Sequence, residues 1–233
     1  MCSSDLVGIT TALLVWDLDR PERFLKIIFQ PQWRSWLTRG AFILMGFSLV
    51  GGLYFLATLF NQSGWQDVLA WLGIPLAILS AVYTAFLFAQ AEGRDLWQST
   101  LLPWHLFVQA IMAGAAGMLI MNALIGIESE FTGPLALILF VSLAVNALLV
   151  LGAEFAIPHA SQPALAAAHM ITHGRYAGWY WGSILIGALA PLVMLIVAGS
   201  SPLVLATAGA LSLIGLFMYE WAFVMAPQQV PNN

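Results

Sequence analysis

Residues 16–40 read Trp-Asp-Leu-Asp-Arg-Pro-Glu-Arg-Phe-Leu-Lys-Ile-Ile-Phe-Gln-Pro-Gln-Trp-Arg-Ser-Trp-Leu-Thr-Arg-Gly and hold five of the chain's seven Lys and Arg residues. A charged segment broken by Pro21 and Pro31 and flanked by long apolar runs belongs at a membrane surface, because its ionised groups find no partner in hydrocarbon. It therefore defines one face of the protein, here called X, and the direction of every span that follows. Composition agrees: the chain is 61% hydrophobic and 8% charged with a mean hydropathy of +0.89, whereas a soluble domain carries about 25% charged residues. An integral membrane protein is expected. One cysteine, Cys2, supplies neither a disulfide framework nor a Cys-ligated zinc or iron–sulfur centre within the chain.

Upstream of this segment, Leu6 to Trp16 is apolar but about half the roughly 20 residues that cross a bilayer as a helix. It is read as the end of a truncated span, with Met1 to Asp5 as candidate foreign sequence. Downstream, six apolar runs are long enough to cross: Trp36 to Phe60, Val68 to Ala91, Leu101 to Ile127, Gly133 to Ile157, Tyr176 to Gly199 and Pro202 to Ala226. Barrel strands would alternate polar and apolar residues, and these runs are apolar on every face. The expected fold is an all-α membrane protein, a polytopic transmembrane helix bundle with six full spans plus the end of a truncated one. No repeat or low-complexity linker divides the chain, so residues 1–233 are read as a single transmembrane helical domain. Two small-residue series, Gly174, Gly178 and Gly182, and Ala110, Gly114 and Gly117 with their alanine neighbours, are expected to pack helices closely. Pro75 and Pro191 are expected to kink their spans.

The connections alternate between faces, and all seven basic residues, Arg20, Arg23, Lys26, Arg34, Arg39, Arg94 and Arg175, fall on X. The positive-inside rule makes X cytoplasmic, although a basic loop also suits a docking surface for a protein partner. Intramembrane polar groups gather towards the same face: Tyr83, His105, Gln109, Glu154 and Glu220 all lie within roughly 12 Å of X at 1.5 Å per residue. Asn146 lies deeper, and Asn122 is the main polar residue of the opposite half. Such a polar half suits an amphipathic ligand with its head near X and its tail in lipid. Each residue also has a plainer reading: Glu154 and Glu220 as interfacial acids paired with Arg94 or Arg175, Tyr83 as an aromatic-belt residue like Trp97, Trp104, Trp179 and Trp181. A bis-histidine haem is not expected, because His105 is the one histidine inside a span. His169 and His173 stand i, i+4 on a short Ala-rich helix without an evident third metal ligand.

Asp17-Leu18-Asp19-Arg20-Pro21-Glu22-Arg23-Phe24, followed by Pro31, Arg34-Ser35-Trp36 and Gly40-Ala41-Phe42, resembles the Asp-Leu-x-Arg-Pro-x-Arg-Phe and Ser-x-x-x-x-Gly-Ala pattern of the NrfD/polysulfide reductase membrane-subunit family. Tyr83-Thr84-Ala85-Phe86-Leu87, Trp97, Leu102-Pro103, Gly174-Arg175-Tyr176, Trp181-Gly182, Pro191 and Ala226-Pro227-Gln228-Gln229-Val230-Pro231 are similar to its later helices. The resemblance spans residues 7 to 231 and implies an eight-helix core of which the first helix and most of the second are missing here. It implies a subunit that holds menaquinone or ubiquinone, with no haem and no metal of its own. Electrons would pass between the quinone and a four-cluster ferredoxin-like iron–sulfur subunit, itself joined to a catalytic oxidoreductase subunit. It makes Tyr83 the residue at the quinone head group, with Asp17 and Arg23 of the signature loop, and His105 of the polar half completes the candidate quinone-binding set. Glu154 and Glu220 are the candidate proton relays, since reducing a quinone takes up two protons with two electrons. Arg20, Arg23, Lys26 and Arg34 are the candidate docking residues. A bacterial inner-membrane location is expected, and no nucleic-acid partner. The competing reading is a transporter or ion-conducting subunit, supported by Pro75, Pro191 and the intramembrane acids, but no inverted repeat accompanies them.

Overall fold

The computed structural model describes residues 31–125, 130–154, 161–197 and 201–231, with only the backbone of Ala153 and Glu154. Every regular element among them is helical. Six helical segments are long and apolar enough to cross a membrane, Trp36–Leu59, Ser63–Phe88, Leu102–Ile125, Thr132–Gly152, Ala177–Val197 and Pro202–Gln229. The chain is a multi-pass, all-α membrane protein. It comprises two compact units, Met1–Gln90 and Ala91–Asn233.

In the first unit, α1 (Trp36–Leu59) and α2 (Ser63–Phe88) pack side by side. The chain reverses between them at Asn61, which takes a φ of 52°; Asn accepts this left-handed conformation more readily than branched residues. Small residues line the seam: Gly46 faces Leu76, Gly73 faces Val50, and Gly40 lies against the ring of Tyr83. At the other end Trp36 stacks on Phe86 with ring centroids 4.4 Å apart, and its backbone N–H donates to Gln90 Oε1 at 2.9 Å, satisfying one of the helix's orphan donors. α2 begins five residues before the apolar run expected from Val68, because Trp65 and Gln66 already donate to Gln62 O in helical register. A helix does not have to stop where hydrophobicity does.

The second unit starts with a 3₁₀ turn, Asp95–Gln98, then α3 (Leu102–Ile125) and α4 (Thr132–Leu148), the latter continuing into a wide π turn, Leu149–Glu154. The short α5 (Gln162–Thr172) buries Ala164, Ala167, Ala168 and Ile171, an i, i+3, i+4, i+7 face that explains its Ala-rich sequence. The next span runs through α6 (Ala177–Ile184), a second π turn (Leu185–Leu189) and α7 (Ala190–Val197). α8 (Pro202–Gln229) closes the chain and packs against α3, α5, α6, α7 and the second π turn. Ser161 and Ser201 cap α5 and α8 by accepting from the backbone N–H groups of Ala164 and Val204, at 3.2 and 3.4 Å.

Several expectations change here. Pro191 sits at the second position of α7, directly after the π turn; the wider turn accommodates the proline's missing N–H and bulky ring. α8 runs past Ala226 and Pro227 to Gln229. Trp97 is no belt residue: it is buried, and its indole N–H donates to Phe223 O at 3.2 Å. Trp104, Trp179 and Trp181 are exposed. The glycines of the two expected series do not form the seams, for Gly114, Gly117 and Gly178 face open space and Gly182 meets Met218, whereas the alanine neighbours of the second series do, with Ala115 and Ala116 buried and Ala116 against Gly209. The close crossings are Gly187 on Gly215, and Gly209 on Ala116, where an added Cβ would lie 3.0 Å from a backbone oxygen. Around the second crossing lie Met112, Ala115, Leu119, Leu139, Leu143 and Leu205, the apolar core of the unit.

Candidate functional site

The most polar point inside the second unit is His105, which is 2% exposed. It lies at the start of α3, four residues before Gln109, so the two share a helix face. Its Nε2 lies 2.9 Å from Asn146 Oδ1 on α4 and 3.2 Å from Gln109 Nε2. Its Nδ1 lies 3.5 Å from the Tyr219 hydroxyl on α8, whose ring meets the imidazole edge-on at 5.1 Å. A ring nitrogen has one in-plane position, filled by either a proton or a lone pair. With Nε2–H donating to Asn146 Oδ1, Nδ1 accepts from the Tyr219 O–H. With the proton on Nδ1 instead, Nδ1–H donates to the Tyr219 oxygen and Nε2 accepts from the Gln109 NH₂. Asn146 and Gln109 thus favour opposite tautomers at the same nitrogen, and either proton arrangement leaves a partner on each ring nitrogen.

Tyr219 escaped sequence reading, yet a signal for it exists. Ala208, Ser212, Gly215, Tyr219, Ala222 and Ala226 are all buried on α8 and follow a four-three alternation, the stripe of a helix facing a bundle interior. Tyr219 is the one large polar member of that stripe. Glu220, the next residue, lies off it and is half-buried. Glu154 is the last residue of the first π turn.

In the first unit, Tyr83 stands one turn before the end of α2, half-buried, with its ring across Gly40. On the same two helices Trp36 stacks on Phe86, and the Arg39 guanidinium lies 4.8 Å above the Trp36 ring and donates to Trp33 O at 2.7 Å. The Tyr83 hydroxyl makes no hydrogen bond to another described residue. Arg34 is exposed. Asp17, Arg20, Arg23 and Lys26 lie outside the described residues.

Several other polar residues have structural partners. Asn122 donates to Thr132 Oγ1 at 2.8 Å, tying α3 to α4. Arg94 donates to Val230 O at 3.0 Å and so anchors the end of α8. His169 and His173 stack with centroids 5.3 Å apart, and among the described residues no three His, Cys, Asp or Glu side chains form a metal-binding group.

A family model described as polysulphide reductase, NrfD, matches residues 2–232. The chain belongs to the NrfD family. No curated protein matches it. Membership in NrfD makes this multi-pass chain a membrane subunit that associates with the other subunits of an oxidoreductase complex, and it agrees with the resemblance carried by the loop at 17–24 and its downstream motifs.

Proposed function

We propose that this NrfD chain is the quinone-interacting anchor of an iron–sulfur oxidoreductase in a bacterial inner membrane. It exchanges electrons between membrane menaquinone or ubiquinone and a four-cluster ferredoxin-like subunit, which connects to a catalytic oxidoreductase subunit. The observation that carries this reading is Tyr83, a tyrosine within a membrane span whose hydroxyl has no acceptor among the described residues, while its ring lies across Gly40. A tyrosine hydroxyl within a membrane span usually finds a partner, and a quinone carbonyl is an acceptor that arrives with an apolar ring and tail.

In this reading the protein contributes a binding surface, hydrogen bonds and proton transfer, with no haem or metal of its own. Tyr83 donates to a quinone carbonyl. Asp17 and Arg23 hold the head group from the signature loop, with His105 as a further binding candidate. Glu154 and Glu220 carry the two protons that accompany two electrons. Arg20, Arg23, Lys26 and Arg34 receive the iron–sulfur subunit.

The test is Tyr83→Phe in the assembled complex. Losing one neutral hydrogen bond at nearly constant volume costs about 0.5–1.5 kcal/mol, so quinone affinity is expected to weaken roughly two- to tenfold. Quinone-linked turnover falls with it, while dye reduction at the catalytic subunit does not. Parental affinity and turnover in the variant would make Tyr83 a packing residue and remove the reading's main support.

A further inference from the structure

A small crevice opens beside the His105 cluster, inside the second unit, with about 10 Å³ of room, roughly what one water needs. It exists because side chains are missing there and two helices widen. Gly187 and Gly215 contribute no side chain, Val150 belongs to the first π turn, and Gly187 and Ala188 belong to the second. An extra residue per turn displaces the backbone from ideal packing, and π turns recur at functional sites for that reason.

Its lining decides what it holds. Four polar residues reach it: Asn146, Ser183, Ser212 and Tyr219. Ser183 and Ser212 are buried and spend their hydroxyl protons on their own helices, donating to Tyr180 O and Ala208 O at 2.7 Å each. Their oxygens retain lone pairs that can accept. Asn146 uses Oδ1 towards His105 and keeps its NH₂ to donate. An apolar cavity of this size stays dry, but one offering two to four polar partners binds water.

We propose that one water occupies this crevice, accepting from the Asn146 NH₂, donating to a serine oxygen and bonding to Tyr219, and that it forms a proton route to the buried His105. The transfer takes up one proton from the aqueous phase and needs no other reactant. A proton reaching the water makes it hydronium; one O–H bond of that hydronium breaks as a proton passes to the Tyr219 oxygen, and the original Tyr219 proton moves to His105 Nδ1. The water and the tyrosine end unchanged, and His105 ends as imidazolium with Nε2–H on Asn146 Oδ1. The amides of Asn146 and Gln109 hold the ring, and the Tyr219 hydroxyl links the crevice to His105 Nδ1. None of these groups belongs to the first unit, so the water site stands or falls independently of quinone binding at Tyr83.

Infrared difference spectra of the purified native complex, comparing D₂O with D₂¹⁸O, test the water. The wild-type protein is expected to show an ¹⁸O-sensitive O–D band that shifts in Ser212→Ala and in Ser183→Ala but not in Ser142→Ala, a buried serine that donates to Leu139 O and lies outside the crevice. Should one crevice variant fail to assemble, the other serves. The route is tested by N–H to N–D exchange of ¹⁵N-labelled histidine, with the His105 signal assigned by His105→Gln. Tyr219→Phe is expected to slow exchange at His105 at least roughly tenfold, the effect of removing a hydrogen-bonded hop. Coincident ¹⁸O-sensitive bands in wild-type and crevice variants would remove the water, and an unchanged exchange rate in Tyr219→Phe would remove the route.

Discussion

Gly215→Leu is expected to leave almost no assembled protein. A Cβ at this position would run into Gly187 Cα and lie 3.1 Å from Ser183 O, and both obstacles are backbone atoms that no rotamer change can move aside. α8 and the second π turn would have to separate, and α8 is the helix against which the rest of the unit packs. Overpacking a core costs typically about 1–3 kcal/mol and more where backbone must shift, so a loss at the top of that range or beyond is expected. Gly114→Leu is the control, since a Cβ there meets nothing within 4 Å and the position is exposed; it should stay within about 0.5 kcal/mol of the parent. Folded yield in the membrane and the thermal midpoint in detergent are the readouts. Equal stability of the two variants would mean that the glycine crossing is not what brings these helices together.

His105→Leu carries the second large effect. The substitution removes the group to which Asn146 and Gln109 turn, leaving the amide of the buried Gln109 and that of the half-buried Asn146 to face leucine. Each buried polar group left without a partner costs about 1–3 kcal/mol, so a loss on the order of 3 kcal/mol or more is expected in thermal unfolding. Replacing both sides of a polar contact with apolar groups of similar shape can be nearly neutral. Adding Gln109→Leu and Asn146→Leu to His105→Leu should therefore recover much of the lost stability, although not the histidine's chemistry. If the triple variant is as unstable as the single one, the loss comes from packing around the imidazole rather than from stranded polar groups.

The two predictions differ in how visible their residues are before folding. His105 and Gln109 are neighbours on one helix face, and the first half of the polar cluster follows from spacing alone. Asn146 and Tyr219 come from 41 and 114 residues further along the chain, and nothing local ties them to His105. The glycines are a sharper case. Gly174, Gly178 and Gly182 carry the more regular motif, yet the backbones meet at Gly187 and Gly215, which belong to no such series.

The amino-acid sequence by itself determined that this is a helical membrane protein, where its six spans lie to within a few residues, and, through the motifs of residues 17–42 and those that follow, the NrfD family. Those conclusions follow from the solvent: hydrocarbon offers backbone groups no partners, so a long apolar run must become a helix wherever it packs. Only the tertiary structure decided which side of each helix faces inward. A span apolar all round carries little periodic contrast, because lipid tails are as apolar as leucine. Trp97 pointing into the unit, the glycine crossing, the two π turns and the meeting of His105, Asn146 and Tyr219 depend on contacts between spans distant in sequence, and those contacts exist only after the helices have packed.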